Sequence, residues 1–92
     1  MAVTQDVYEE VMNRDGWCCR NCGSNNCLEL HHRLSKSKRN RARFPLFVDS
    51  TANLICLCRG CHITKTHLYK ISDLEAERFE LLLEKEKEKH GQ

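Results

Sequence analysis

The sequence predicts a small α+β domain with helices at both ends, and three observations carry that expectation. The chain has 92 residues, which is room for one small domain. Apolar residues recur at helical spacing near both ends, while the centre holds two short runs of strand character. Seven cysteines and five histidines crowd into this length, and four of the cysteines form two C-x2-C pairs. One domain over residues 1–92 follows, with a core at 14–70 and helical flanks at 4–14 and 73–90.

Taken in order, Thr4 is placed to cap a helix running to Arg14, with Val7, Tyr8, Val11 and Met12 on one face. Asp15-Gly16 ends it, because glycine readily takes the left-handed conformation that closes helices. Trp17 is expected as a core anchor beside the first cysteine pair. Leu28-Glu29-Leu30 alternates like a strand leading into His31-His32, and Leu54-Ile55-Cys56-Leu57 reads as a second, buried strand. Between them, Arg33 to Ala52 is expected as a long loop holding the only proline, Pro45; loops of that length are usually functional or disordered. His62 to Tyr69 is expected as a short helix. Ser72-Asp73-Leu74-Glu75 has the pattern of a capping box. It opens a last helix that carries Leu74, Ala76, Phe79, Leu81, Leu82 and Leu83 before alternating charges from Glu84 to Lys89.

Composition excludes other classes. The longest apolar runs, Leu54–Leu57 and Leu81–Leu83, are far too short to cross a bilayer. Asp6, Glu9 and Glu10 follow Met1 closely, so no secretory signal is expected and the cytoplasm is the expected compartment. An odd number of cysteines without an export signal favours metal ligation over disulfides. Charge is segregated: residues 14–70 carry eleven Lys or Arg against three Asp or Glu, while residues 1–13 and 71–92 each net −3. The basic stretch is densest at Arg33, Lys36, Lys38, Arg39, Arg41 and Arg43, with no acid among them. Such a block suits a polyanion, with phosphate as the default partner.

Each C-x2-C pair presents two thiolates from one tight turn, and two such turns complete a tetrahedron around zinc. Cys19, Cys22, Cys58 and Cys61 are therefore the expected ligands of a structural Zn2+. Cys56 is expected in the core, and Cys18 stays an alternative to Cys19 at worse spacing. The pairs are separated by 35 residues, well beyond the roughly 15–20 of a plain zinc ribbon. That insert delivers His31-His32 after one strand and Asn53 before the next, and His62 follows the last cysteine directly. Closing the tetrahedron draws the strands together and brings His31, Asn53 and His62 toward one another. Imidazoles so gathered suit a second metal and a base.

These residues carry a resemblance. Leu28-Glu29-Leu30-His31-His32, followed by the run from Asn53 to His62, is similar to the signature of HNH nucleases of the zinc-knuckle, four-cysteine subtype. The stretch from Arg14 to Gly23 resembles the opening of that family, and the likeness reaches Leu68. The resemblance implies a ββα-metal (His-Me finger) fold and metal-dependent hydrolysis of DNA to 5′-phosphate and 3′-hydroxyl ends. Position by position, it implies His31 and His62 as ligands of a catalytic divalent cation, with Mg2+, Mn2+, Ni2+ and Zn2+ all open. It implies His32 as the general base, and Asn53 as the residue that ties the loop between the strands and so orients His32. The basic residues from Arg33 to Arg43 become expected DNA contacts. Small stand-alone members are often encoded by bacteriophages, some beside packaging genes; the implied setting is the bacterial cytoplasm, with packaging proteins as further partners. Monomer and homodimer both stay open.

Two positions depart from the family pattern. A third metal-binding histidine often lies four residues after the one matching His62, where this chain has Thr66, with His67 one step beyond. An aliphatic residue usually follows the histidine pair, where this chain has Arg33. The competing expectations are a non-catalytic zinc-binding DNA-recognition module, which needs the cysteines and basic stretch but not the histidines, and an adaptor docking through Leu74, Phe79 and Leu82.

Overall fold

The computed structural model describes residues 3–90; Met1, Ala2, Gly91 and Gln92 of the expected domain lie outside the described residues. Helix α1 (Gln5–Arg14) starts where Thr4 Oγ1 accepts from the Val7 amide at 3.3 Å, and it buries Val11 and Met12. It closes through Gly16 and Trp17, both at positive φ, with the Trp17 amide donating to Met12 O at 2.9 Å. Trp17 is not the expected core anchor: it is 47% exposed, lies edge-on to Tyr8 and donates Nε1–H to Asn13.

Strands β1 (Leu28–His32) and β2 (Leu54–Cys58) form a two-stranded antiparallel sheet, with Leu28 opposite Cys58 and His32 opposite Leu54. The register puts Cys58 at one end of the ladder and His32 at the other. Alternation turns Glu29, His31, Ile55 and Leu57 to one face. Helix α3 (Arg59–Thr64) follows β2 without a break and packs on both strands. Ile55 and Leu57 join Cys19 and Cys61 in one buried cluster, edged by Leu28 and Tyr69. Burial of Leu54 to Leu57 along the whole run matches a strand covered on both faces.

The segment from Arg33 to Ala52 is not the expected loop. Ser37 caps a short helix, α2 (Lys38–Arg43), and a 3-10 turn at Thr51–Asn53 leads into β2. Between them Phe44, Phe47 and Val48 sink into a second core with Leu34, Ile71 and Ala76. Charge dominates the composition of this stretch, but three large apolar side chains in five residues decide its packing.

Helix α4 (Asp73–His90) closes that core. Its capping box is formed: Ser72 Oγ accepts from the Glu75 amide and donates to Glu75 Oε1, each at 3.2 Å. Phe79 stacks on Phe47 at 5.1 Å. Glu80 is buried, and its Oε1 accepts from the Leu46 and Phe47 amides at 3.1 and 2.9 Å. Of the three residues expected to dock a partner, Phe79 is thus committed inside the chain, while Leu74 and Leu82 are exposed.

The helix expected over His62–Tyr69 is displaced toward the N-terminus. Its first turn is the second cysteine pair itself, with Cys58 as N-cap. Thr64 Oγ1 donates back to Gly60 O at 2.8 Å, a bond that competes with helix continuation. The chain then tightens into a 3-10 turn at Thr66–Tyr69. Asp15 ties the N-terminal end to this frame. Its buried carboxylate accepts from Arg14, Arg20 and the Cys56 amide, and Arg14 also donates to Thr51 O and Leu54 O. Burial pushes the Asp15 carboxyl up, but the donors from Arg14, Cys56 and Arg20 outweigh it, so its pKa lies below the ordinary carboxylate value. Among the described residues no helix is long and apolar enough to cross a membrane.

Candidate functional site

Cys19, Cys22, Cys58 and Cys61 are positioned to hold a metal ion, with all four sulfurs within 4.8 Å of one another. Cys22 Sγ and Cys58 Sγ are 3.7 Å apart. Four sulfurs at tetrahedral zinc-thiolate distance would be separated by about 3.8 Å. The first turn supplies amide donors as well: the Asn21 and Cys22 amides both point at Cys19 Sγ at 3.4 Å, and Gly23 at φ +80° ends the turn. Asn21 Nδ2 donates to Cys61 Sγ at 3.3 Å, and Tyr69 O–H donates to Asn21 Oδ1 at 2.9 Å. Burial raises the Cys19 thiol, yet these amides and that of Cys58 bring it down to about 6. Cys61 receives the Asn21 donor, but burial and the surrounding Cys58, Cys19 and Cys22 push it up to about 12. Four thiols this close do not all ionise unless a cation joins them. Cys18 is outside the cluster and donates to Asp15 O; Cys56 is fully buried, as expected.

The histidines gather beside this cluster. His31 and His62 meet edge to face with ring centroids 5.1 Å apart. Glu29, two residues before His31 on the same strand face, holds His62 Nδ1 at 2.6 Å, which leaves Nε2 of that ring for a ligand. His31 Nε2 is buried and has no hydrogen-bond partner among the described residues. Burial first, then His62, His32 and Arg33, pushes the His31 pKa down to about 4, so the ring is neutral at pH 7, the form that ligates metal. A buried ring nitrogen without a partner, on an imidazole packed edge to face against a second one, suits a divalent cation. His31, His32 and His62 all line one cavity of about 320 Å³, together with Arg33, Ser35, Lys36, Thr66 and Lys70.

His32 enters the cavity from the other side of the strand end. Its Nε2 lies 2.9 Å from Asp49 Oδ1, and the second oxygen of Asp49 accepts from Arg41. Asn53 does not line the cavity. It is fully buried: Oδ1 accepts from the Leu34 amide at 2.7 Å, and Nδ2 donates to Leu34 O and Val48 O at 3.0 and 2.8 Å. Its side-chain amide bonds to backbone alone and ties the two arms of the insert, at Leu34 and Val48, to each other. His67 is exposed and outside the cavity lining, whereas Thr66 is part of it. The end of α3 at Thr64 is the reason, since an α-helical spacing no longer applies beyond it.

The basic residues divide into two groups. Arg33 and Lys36 line the cavity, and Arg33 is braced by donating Nε–H to Tyr69 O at 2.8 Å. Lys38 and Arg39 are exposed on α2. Arg41 and Arg43 are committed to carboxylates, those of Asp49 and of Asp73, the latter at 3.0 Å. Four residues of this region escaped the sequence reading: Glu29, Asp49, Lys70 and Asp15. The strand alternation that pairs Glu29 with His31 was a usable signal for the first; Asp49 and Lys70 reach the cavity only through the folded insert. Comparison of the chain with known protein families, curated proteins and solved structures gives no match.

Proposed function

We propose that this chain is a metal-dependent DNA endonuclease of the HNH kind, with β1, β2 and α3 as its ββα-metal core and zinc as the ion of the cysteine cluster. One observation carries the proposal. The His31–His62 pair, with the unpartnered His31 Nε2, shares a cavity with His32 and three cationic side chains. His31 Nε2 and His62 Nε2 are the atoms that would hold the cation, and Glu29 fixes the His62 ring for it. A divalent cation held by these two rings would supply positive charge to offset that of the scissile phosphate and the departing oxygen. Arg33, Lys36 and Lys70 hold phosphate at the cavity, and Lys38 and Arg39 extend the contact along α2. Arg41 and Arg43 serve carboxylates instead. His32 takes one proton from water; the resulting hydroxide bonds to phosphorus, the P–O3′ bond breaks, and the 3′ oxygen is protonated from solvent.

The test uses supercoiled plasmid with Mg2+, Mn2+ or Ni2+, with and without EDTA. Nicking by the native chain, its loss on chelation, and its loss in His32→Ala at unchanged zinc content are expected. Retention of DNA without scission in every cation replaces this reading with the non-catalytic DNA-recognition module.

A further inference from the structure

We infer that Asp49 is a positioning residue that fixes the tautomer of His32, an inference that rests on the nuclease reading for its purpose but not for its geometry. Asp49 Oδ1 lies 2.9 Å from His32 Nε2. A carboxylate oxygen only accepts, so the proton of the neutral imidazole sits on Nε2, and Nδ1 keeps a free lone pair. The carboxylate is itself held. Arg41 Nη1 donates to Oδ2, and Arg41 Nε donates to Lys36 O at 3.3 Å, so α2 orients Asp49 and Asp49 orients the ring. The side chains of His32, Asp49 and Arg41 are 11%, 23% and 33% exposed, which shields the relay from competing water.

The three residues come from different parts of the chain. His32 ends β1, Arg41 lies on α2, and Asp49 follows the buried Phe47-Val48 pair. The second core therefore sets where Asp49 stands, which gives the insert a task at the site beyond carrying charge. In the hydrolytic step Nδ1 is then the atom that accepts the proton from water, while the Nε2–H bond to Asp49 persists and stabilises the positive charge that the ring gains.

Long-range 1H–15N correlation of the histidine rings, on the full zinc-loaded chain at pH 8, reads this directly. The native chain is expected to show His32 protonated at Nε2 alone. Asp49→Ala is expected to mix the two tautomers of His32, with zinc content and melting temperature retained. Nicking by that variant is expected to fall on the order of a hundredfold in kcat, with KM for plasmid unchanged. A native His32 protonated at Nδ1 overturns the inference without recourse to any variant. So does an Asp49→Ala chain with native tautomer and native kcat, while leaving the nuclease reading intact. The converse result, an Asp49-dependent tautomer in a chain that nicks DNA in no cation, keeps the Asp49 assignment and removes the nuclease reading.

Discussion

The two ends of the sheet hold a cluster of four cysteines and a group of histidines, and they are built on opposite plans. Around Cys58, four sulfurs face one another within 4.8 Å and amide donors from the adjoining turn complete their surroundings. Three residue steps away along β1, roughly 10 Å, the imidazoles of His31 and His62 meet beside a cavity, and one ring nitrogen has no partner among the described residues. A closed set of like ligands fixes a fold; an incomplete set beside open space leaves positions for water and substrate. Helix α3 belongs to both, since it begins at the cysteine pair and carries His62 one residue after Cys61. On the proposed reading, one short segment serves stability on one side and chemistry on the other.

Substitutions at the two ends should therefore fail in different ways. The largest effect is expected at the cysteine end: Cys58→Ala should release zinc and abolish the cooperative thermal transition, as followed by circular dichroism. A native-like melt in that variant would make the cluster dispensable. Next comes the second core, where Phe47→Ala removes a fully buried ring stacked on Phe79. It should cost about 4 kcal/mol in denaturant unfolding, and it should lower nicking as well, because Asp49 lies two residues on.

Asp15→Asn should cost about 2 kcal/mol, at the low end for an interrupted ion pair because Arg14 and Arg20 are themselves half exposed. The sign of its pH dependence follows from the lowered pKa of Asp15. The contribution of the carboxylate is present above the ordinary value near 3.8 and is lost as pH falls through the still lower folded value. The gap between native and variant should thus stay constant from pH 8 to pH 5 in urea titrations; narrowing within that window would contradict the assignment. Smallest of all, truncation after Leu83 should change stability by no more than about 0.5 kcal/mol. It should leave nicking intact, because Glu84 to Glu88 are exposed.

Local rules make much of this molecule legible in its sequence. Thr4 and Ser72 cap where their spacing says, the two apolar runs pair as strands, and the cysteine spacing leads to a four-sulfur cluster. What stayed hidden depends on contacts between distant residues. Phe44 and Phe47 sit among arginines, and their burial is decided by α4, some thirty residues later. Asp15 reads as a helix breaker, yet its partner amide is Cys56. Asp49 reads as a loop acid until the insert folds it against His32. Helix α3 ends early, at Thr64, and the 3-10 turn that follows brings Thr66 rather than His67 to the cavity.

On the proposed reading the histidine end is a second, separable metal centre. Isothermal titration of the zinc-loaded chain with Mn2+ tests this without any need for cleavage. One Mn2+ per chain is expected for the native protein, and none for His31→Ala/His62→Ala, with zinc content and melting temperature the same in both. Equal Mn2+ binding by the double variant, or loss of the structural zinc along with the manganese, would contradict the division of labour between the two ends.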